Sequence, residues 1–373
     1  MIAFTATSDT VFDFTDQIGT TANNTKLFKY TGKLYAIHSH GDQFITEKSD
    51  DTTNPIQVSV ATNQDLSSWA DVSSSAPFST LTDHVFEIEK FFTFKKYIYA
   101  FVVTTENTPE LWRLRKKRDG AVWEQIGEDV FSTQLIDFTS AVVRLATVNV
   151  NPALFVIGHT VNGNHIYKTT DGVHWQRVNA NALFVGDGTA PIVRLVKHTV
   201  DDTRYAYAFT QDGQVLRAEL DHMDTWENVF TIQAVSSDAD TPNPDFTLTS
   251  AGQIGGKLYV IGQAENDEPG GQLFVSTDWE TASLTQSFNN SSGNWIFHKF
   301  ASNNTLYILA DVNEGMAWFA RMTDNNTTET LLLSDVDFDH DESAQFTSLL
   351  TYKDRNYFSY RTSNGSLIYS LSE

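Results

Sequence analysis

Four aspartates alternate along residues 335–342, a spacing that could bind a hard cation. The segment runs DVDFDHDE, so a carboxylate occurs at every second position. Ca²⁺ takes about six to eight oxygen ligands and prefers such clusters. An EF-hand-type loop needs glycine at its sixth position, where His340 stands, so a solvated acidic rim is the plainer interpretation. The favoured expectation is no cofactor; if calcium binds here, its ligands would be Asp335, Asp337, Asp339 and Asp341.

Two histidines end a predicted strand and could hold a transition metal. His38 and His40 would point to the same side of the strand, with Asp42 close by. A third protein ligand would have to come from another part of the chain, and no segment supplies one. Ordinary hydrogen bonding is therefore the favoured role of these histidines.

A basic residue recurs in a short strand that precedes each aromatic strand. Aligned by motif, five copies share one position: Lys29, Lys90, Arg144, Arg194 and Lys299. These cations could form a positive ring that captures carboxylate, sulfate or phosphate groups. They could instead be struts, each paired with an acid such as Glu87 or Asp137. The strut interpretation is favoured, with Arg144 and Arg194 the best paired, because guanidinium bonds a carboxylate in two places.

Aromatic and amide side chains near predicted loops suit recognition of a sugar. An aromatic face stacks on a sugar ring and an amide bonds its hydroxyls, although the same side chains also suit a protein interface. The candidate ligand-binding residues are Asn289, Asn290, Trp295, Tyr360 and Arg361.

The composition of the 373-residue chain excludes several functions. Acidic residues number 47 against 25 basic ones, a formal net charge of −22, which disfavours nucleic acid and anionic membranes. Cysteine is absent, so there are no disulfides, thiolate metal sites or cysteine nucleophiles. No apolar run is long enough to span a bilayer, which predicts no membrane insertion. The first residues do not resemble a Sec signal peptide, so we expect cytoplasmic synthesis, followed by a place in a virion or export by a non-Sec route.

One aromatic strand recurs about every 50 residues and fixes the predicted architecture. Its aromatic positions are Tyr35, Tyr99, Phe155, Tyr207, Tyr259, Tyr307 and Tyr357. Each copy has a strand before it and two after it, which is the content of a propeller blade. No segment shows a sustained helical period, so helix should be nearly absent.

The sequence therefore predicts an all-β protein that is a single seven-bladed propeller over residues 1–373. Its four-stranded antiparallel blades would cover 25–74, 85–131, 140–184, 191–233, 246–286, 295–333 and 346–372. The last blade lacks a fourth strand, and residues 1–18 contain strand material without a blade of their own. An N-terminal strand would complete the last blade and close the ring, which removes two exposed edges. Six blades would require one aromatic strand to be accidental.

An acidic turn before a tryptophan follows the third strand of several units. The clearest copy runs from Asp171 to Trp175 and has Thr169 before it; others run from Asp119 to Trp123 and from Asp65 to Trp69. These segments resemble the Asp-box of bacterial neuraminidase-type repeats. The resemblance implies a turn between the third and fourth strands of a propeller blade, away from the ligand face. It also implies structural roles for Asp65, Trp69, Asp119, Trp123, Asp171 and Trp175.

The predicted function is that of a non-enzymatic binding or structural module. Its variable loops would contact a glycan or a protein partner, and the protein would be a component of a larger particle such as a phage virion or a cell-surface appendage. The alternative is a glycan-cleaving, sialidase-like hydrolase. That family needs an arginine triad, a Tyr–Glu nucleophile pair and an acidic Asp, and no local motif in this chain marks them.

Overall fold

The computed structural model describes the strands and many of the turns between them. The described residues are 7–13, 24–39, 56–75, 77–79, 85–104, 109–117, 120–127, 145–150, 153–160, 163–178, 190–236, 245–264, 270–289, 296–302, 305–312, 316–322, 328–332, 345–353, 355–362 and 365–372. They contain no long apolar helix of the kind that could span a bilayer.

The regular elements bounded within these residues are 28 β-strands, which form seven four-stranded sheets. In six of these sheets the four strands are consecutive in sequence and pair in an antiparallel meander, and in the seventh β1 pairs with β28; both have the strand order of a propeller blade. We number the sheets 1 to 7 in chain order and call their strands a, b, c and d. The prediction of an all-β protein of propeller type, made of small four-stranded antiparallel sheets, is confirmed.

The chain divides into two compact units, which are described separately. Met1–Thr5 with Thr139–Ser334 form the four-sheet unit, and Ala6–Phe138 with Asp335–Glu373 form the three-sheet unit. The assignment of residues 1–373 to one domain, and the blade boundaries, stay predictions.

The four-sheet unit contains sheets 3 to 6. Sheet 3 is β10 (Leu145–Val150), β11 (Ala153–Thr160), β12 (Gly163–Thr169) and β13 (Gln176–Arg177). Sheet 4 is β14 (Ile192–Val200), β15 (Thr203–Thr210), β16 (Gln214–Glu219) and β17 (Glu227–Thr231). Sheet 5 is β18 (Phe246–Ile254), β19 (Lys257–Ala264), β20 (Gly270–Ser276) and β21 (Ser283–Asn289). Sheet 6 is β22 (Ile296–Ser302), β23 (Thr305–Val312), β24 (Met316–Met322) and β25 (Thr328–Leu332).

The three-sheet unit contains sheets 1, 2 and 7. Sheet 1 is β2 (Asn24–Tyr30), β3 (Lys33–Ser39), β4 (Ile56–Ala61) and β5 (Trp69–Asp71). Sheet 2 is β6 (Val85–Phe94), β7 (Tyr97–Thr104), β8 (Pro109–Lys117) and β9 (Gly120–Ile126). Sheet 7 is β26 (Gln345–Tyr352), β27 (Arg355–Thr362), β28 (Gly365–Ser372) and, as its strand d, β1 (Thr7–Asp13).

The N-terminal strand supplies the strand that the C-terminal sheet lacks. Strand β1 pairs antiparallel with β28, from Thr7 opposite Ser372 to Asp13 opposite Leu367. Sheet 7 is therefore built from both ends of the sequence, as the missing fourth strand predicts. Closure of all seven sheets into one ring stays a prediction.

Apolar side chains on both faces of the strands join neighbouring sheets within each unit. In the four-sheet unit, Leu195 and Leu216 of sheet 4 pack with Phe155 of sheet 3. Tyr207 of the same sheet packs with Phe246 of sheet 5 in a different cluster. Successive side chains of a strand point to opposite faces, so one sheet contributes to two cores.

The a–b turns are tight and are formed at a conformational cost. Each links its strands through two residues, and φ is positive at both positions in sheets 1, 2, 4 and 5, as a type I′ turn requires. Glycine adopts this conformation readily, yet sheet 2 places Lys95 (φ 44°) and Lys96 (φ 71°) there. In sheet 5 the second position is Gly256 (φ 80°), where an added Cβ would contact nothing within 4 Å.

Removing residues 1–18 deletes β1 and should destabilise the protein. Strand β28 would lose its antiparallel partner and become an exposed edge, which favours aggregation. We expect the truncated chain to melt several degrees lower and to aggregate on heating, as measured by scanning fluorimetry with light scattering. Deletion of residues 1–5 alone is the control, since it leaves the paired residues intact. Identical melting of the wild type and the longer deletion would contradict this role of β1.

Opposite substitutions at equivalent turn positions should change stability in opposite directions. Lys96 is a non-glycine residue in the left-handed backbone region, so Lys96→Gly should remove strain and stabilise the protein by about 0.5–1 kcal/mol. Gly256→Ala places a side chain in the same backbone region and should destabilise the protein by about 1 kcal/mol. Urea unfolding measures both. Because a Cβ at residue 256 meets no neighbouring atom, the loss reports backbone conformation alone. A stabilising Gly256→Ala would disprove the argument.

Candidate functional site

The two ends of the sheets differ in the length of their connections. We call the end with the a–b and c–d turns the turn end, and the end with the b–c and d–a connections the loop end. At the turn end, every a–b turn has two residues and the longest c–d turns have seven. At the loop end, d–a connections range from six residues (290–295) to eighteen (127–144), and one b–c connection covers 40–55. Long connections tolerate variation, so the loop end is the candidate binding surface.

Each predicted ligand residue that can be placed belongs to the loop end of its own sheet. Asn289 is the last residue of β21 and lies opposite Gly270. Tyr360 and Arg361 are near the end of β27, opposite Phe346 and Gln345. Asn290 and Trp295 lie outside the described residues, so the assignment of this set as ligand-binding stays a prediction.

The metal hypotheses fall largely outside the part of the chain that the structure describes. This is true of Asp335, Asp337, Asp339 and Asp341, and also of His40. His38 is described: it is buried on β3, and its Nδ1 lies 2.9 Å from the Oγ1 of Thr25, in agreement with ordinary hydrogen bonding. Among the described residues, no three His, Cys, Asp or Glu side chains group as metal ligands would. Calcium binding stays a prediction.

Buried amides anchor the ends of the long connections in the four-sheet unit. Asn164 donates from Nδ2 to the carbonyl of Ala190 (3.0 Å), and its Oδ1 accepts from the N–H of Ile192 (3.3 Å). Gln272 bonds both backbone groups of Val235, donating to the carbonyl at 2.6 Å and accepting from the N–H at 2.9 Å. These amides fix where the connections 178–191 and 232–245 begin or end. Sequence analysis missed them, because a lone amide in a strand carries no local motif.

A glycine allows the b–c turn of sheet 4 to pack against the next connection. Gly213 has φ 87°, and its N–H and carbonyl take part in bonds to Thr210 and Ile232. A Cβ at this position would lie 2.4 Å from the carbonyl oxygen of Ile232. Any larger residue would therefore push the connection away from the sheet.

At the turn end, Asp171 organises the c–d turn of sheet 3. Its Oδ1 accepts from the backbone N–H groups of Val173 and His174, both at 2.8 Å, and its Oδ2 lies 2.6 Å from His174 Nδ1. Thr169 adds a hydroxyl that accepts from the N–H of Gly172 at 2.8 Å. Burial alone would raise the pKa of Asp171, but the bonds from His174 and the backbone hold it well below its ordinary value.

Sheet 5 forms the same kind of turn at Asp278, in the sequence STDWE. Asp278 Oδ1 accepts from the N–H groups of Glu280 (3.0 Å) and Thr281 (2.9 Å), and Ser276 takes the place of the threonine. These backbone bonds, together with the hydroxyl of Thr281, hold the pKa of Asp278 well below its ordinary value. The side chain of Trp279 is buried, with φ 63°, at the position that Gly172 occupies in sheet 3.

A third aspartate forms a related turn in sheet 1. Asp65 accepts from the N–H and hydroxyl of Ser67, and these two bonds lower its pKa. The next residue, Leu66, has φ 63° and is fully buried, and Trp69 donates from Nε1 to its carbonyl at 2.8 Å. The tryptophans of the other two predicted copies, Trp123 and Trp175, are buried, while Asp119 lies outside the described residues.

The predicted common register of the five basic residues is wrong. Lys90 and Arg194 do occupy the same place, opposite Phe101 and Phe209 at the loop end of strand b. Lys29 instead lies opposite Leu34 beside the a–b turn, and Lys299 lies opposite Ile308. Sheets 2 and 4 have a β-bulge just before the basic residue, whereas sheets 1 and 6 pair without one. From each of these residues to its a–b turn the pairing is continuous, so their different positions reflect the number of residues that separate each of them from the turn. Arg144 lies outside the described residues.

Two arginines of strand c, which the sequence did not single out, form close ion pairs. Arg113 bonds Glu124 of the adjacent strand, and Arg217 bonds Glu227 in the same way, through Nε at 2.8 Å. Each guanidinium also lies 4.9 Å from a tyrosine ring of strand b, that of Tyr97 or Tyr205. These arginines therefore stabilise single sheets and are not part of the loop end.

Arg194 was expected to be among the best-paired basic residues, and this expectation is wrong. It has no ion pair among the described residues, and its buried Nε has no hydrogen-bond partner. Burial lowers its pKa.

Sheets 4 and 5 also meet through a histidine. The ring of His198 stacks on Trp279 at a centroid distance of 4.0 Å and an interplanar angle of 8°. Gln253 Nε2 lies 3.1 Å from His198 Nδ1, and an amide N–H there requires an unprotonated ring nitrogen. Burial lowers the pKa of His198, which agrees with a neutral ring.

Comparison with known proteins identifies no family for this chain. No family model matches the chain, and no curated protein matches it. The WD40 domain of Toxoplasma gondii coronin aligns with 99% of this chain and 85% of its own, at 10% identity and a TM-score of 0.49. An α-L-arabinofuranosidase from Clostridium thermocellum aligns with 83% of this chain and 93% of its own, at 12% identity and a TM-score of 0.41. Neither likeness carries an argument about function, and membership of the Asp-box family is not confirmed.

Asp278→Asn should weaken the protein most at neutral pH. The charged carboxylate is favoured by the folded turn, so its contribution is present above its ordinary pKa of 3.8 and is lost as the pH falls. We expect the variant to lose about 1 kcal/mol of unfolding free energy at pH 7, as proteins do when a helix cap is removed. The difference between the variant and the wild type should become smaller in acid. Urea unfolding across pH measures it. Asp224→Asn, exposed in the c–d turn of sheet 4, is the control, and a loss independent of pH would contradict the charge argument.

Proposed function

We propose that this protein is a non-enzymatic binding or structural module that contacts a glycan or a protein partner with its loop end. The observation that carries the proposal is the contrast between the two ends of the sheets. At one end the a–b turns have two residues and the c–d turns at most seven, whereas connections such as 40–55 and 127–144 extend the other. Binding residues on rigid β-scaffolds are usually on such connections.

The described charged groups support a scaffold role for the rest of the molecule. Asp171 and Asp278 bond the backbone of their own turns. Arg113 and Arg217 bond glutamates within single sheets. Groups used in this way hold the fold and are not available to a ligand, so recognition is left to the loop end.

We also propose that the seven sheets form one ring, with sheet 7 as the blade that joins the two ends of the chain. A ring of sheets leaves only short, protected edges and presents all its loop ends on one face. Such a face suits assembly into a larger particle, for example a virion or a cell-surface appendage. Small-angle X-ray scattering tests the ring, because a closed ring of this size has a compact profile and an open array does not.

The sialidase-like alternative has no specific observation in its favour. It predicts two carboxylates and several arginines converging on one pocket. Its test is turnover of a panel of fluorogenic sialosides and β-glycosides, and turnover would replace the present proposal.

A glycan array and a pull-down from the native source, with one set of variants, test the binding proposal. The loop-end variants are Trp295→Ala, Asn290→Ala and Tyr360→Ala. A substitution that removes a main contact of the ligand or partner should weaken binding by about tenfold or more. Lys96→Gln and Asp224→Asn alter the turn end and should bind as the wild type does. Melting temperatures of all variants exclude unfolding as the cause.

Two results would count against the proposal. One is binding that is lost in the turn-end variants and kept in all loop-end variants. The other is an array without signal together with no co-purifying partner. A silent array with a stable partner protein would instead identify a structural component.

A further inference from the structure

Arg194 lies at the loop end of sheet 4, on the first strand of that sheet. It pairs with Phe209, next to Thr210, the last residue of β15 before the b–c turn. A β-bulge between Ile192 and Arg194 interrupts the register there. Bulges change the direction of a side chain and are frequent beside functional sites.

The guanidinium of Arg194 is desolvated without a compensating acid. Its Nε is buried and bonds nothing, while the residue as a whole remains partly exposed. No ion pair of the described residues includes it, in contrast to Arg113 and Arg217, which each bond a glutamate. Burial lowers its pKa, and no carboxylate in the described part of the chain opposes that effect.

A buried guanidinium cannot solve this problem by losing its proton. Arginine remains charged in proteins, and a desolvated charge without a partner destabilises the folded state. A counter-charge from outside the described residues would remove this cost. A planar oxyanion is the best match, because guanidinium donates two parallel hydrogen bonds to it.

We infer that Arg194 binds the oxyanion of a ligand, a carboxylate, sulfate or phosphate group, that enters at the loop end of sheet 4. This inference rests on the proposed function, since it assigns a chemical class to the ligand of the same end. With a net charge of −22, the protein as a whole repels free anions. Inorganic sulfate should thus bind weakly, and a ligand that also contacts the neighbouring connections should bind more tightly.

Sulfate titration of the full chain tests the inference. Ionic strength is held constant with sodium chloride, and the melting temperature is followed by scanning fluorimetry. We expect a rise that saturates for the wild type, because a ligand that binds only the folded state stabilises it. For Arg194→Gln, the melting temperature should show only the gradual rise, without saturation, that sulfate causes in proteins generally. Its apparent affinity for sulfate should be at least about tenfold weaker than that of the wild type. Arg204→Gln, an exposed arginine of the same sheet, should behave as the wild type.

A second variant separates the anion site from a structural strut. In chloride without sulfate, Arg194→Met should melt at or above the wild-type temperature, because it removes an uncompensated buried charge. A strut would instead lose stability strongly and independently of sulfate, which would overturn the inference. So would equal sulfate responses of the wild type and Arg194→Gln.

The two proposals fail in different ways. If Arg194→Gln leaves the sulfate response unchanged while Trp295→Ala still abolishes partner binding, the anion site is wrong and the binding proposal remains. If sulfate binding depends on Arg194 but the turn-end variants alone abolish partner binding, the loop end is not the partner surface. A side-chain Nε–H NMR signal that shifts with sulfate, and is missing in Arg194→Gln, would place the anion at this guanidinium.

Discussion

A four-stranded sheet with apolar side chains on both faces is not stable alone, and this constraint organises the protein. Sheet 4 illustrates it, since Leu216 packs with sheet 3 and Tyr207 packs with sheet 5. Each strand interior must satisfy two neighbours, so its residues alternate between two cores. The same requirement accounts for β1, which pairs with β28 from the other end of the sequence. Variation is thereby confined to the connections between strands.

The turn end shows how different sequences satisfy one backbone geometry. A left-handed residue follows Asp65, Asp171 and Asp278, and it is leucine, glycine and tryptophan respectively. Only glycine adopts φ near 60–80° without strain, so the other two turns need compensation. The aspartate bonds to the backbone N–H groups that follow, and the leucine or tryptophan side chain is buried. A turn of this type is thus defined by its acid and its backbone, and the position of the tryptophan is free to move.

Much of the fold could be predicted from the sequence because aromatic strands recur at a regular spacing. The four-stranded sheets, the tight turns and the N-terminal strand all follow from that periodicity. The register of the basic residues was predicted wrongly, because they were aligned by motif and not by their distance from the a–b turn, which sets the pairing. The pairing of Arg113 with Glu124 was also missed, since cross-strand partners are distant in sequence. The loop-end candidates lie at strand ends, as Asn289, Tyr360 and Arg361 do, or on the connection 290–295, and no periodicity indicates which of their side chains meet.

The arginines show why pairing, and not residue type, separates scaffold from site. Arg113 and Arg217 each combine a glutamate on strand d with a tyrosine ring on strand b, so their charge is balanced inside one sheet. Such an arginine stabilises the fold whether or not a ligand is bound. Arg194 also has a buried Nε but no acidic partner among the described residues, so its burial is not compensated in the same way. A chain with few basic residues and many acids could easily have paired it. That it stands unpaired at the end with the long connections is more simply explained by a ligand than by the requirements of the fold.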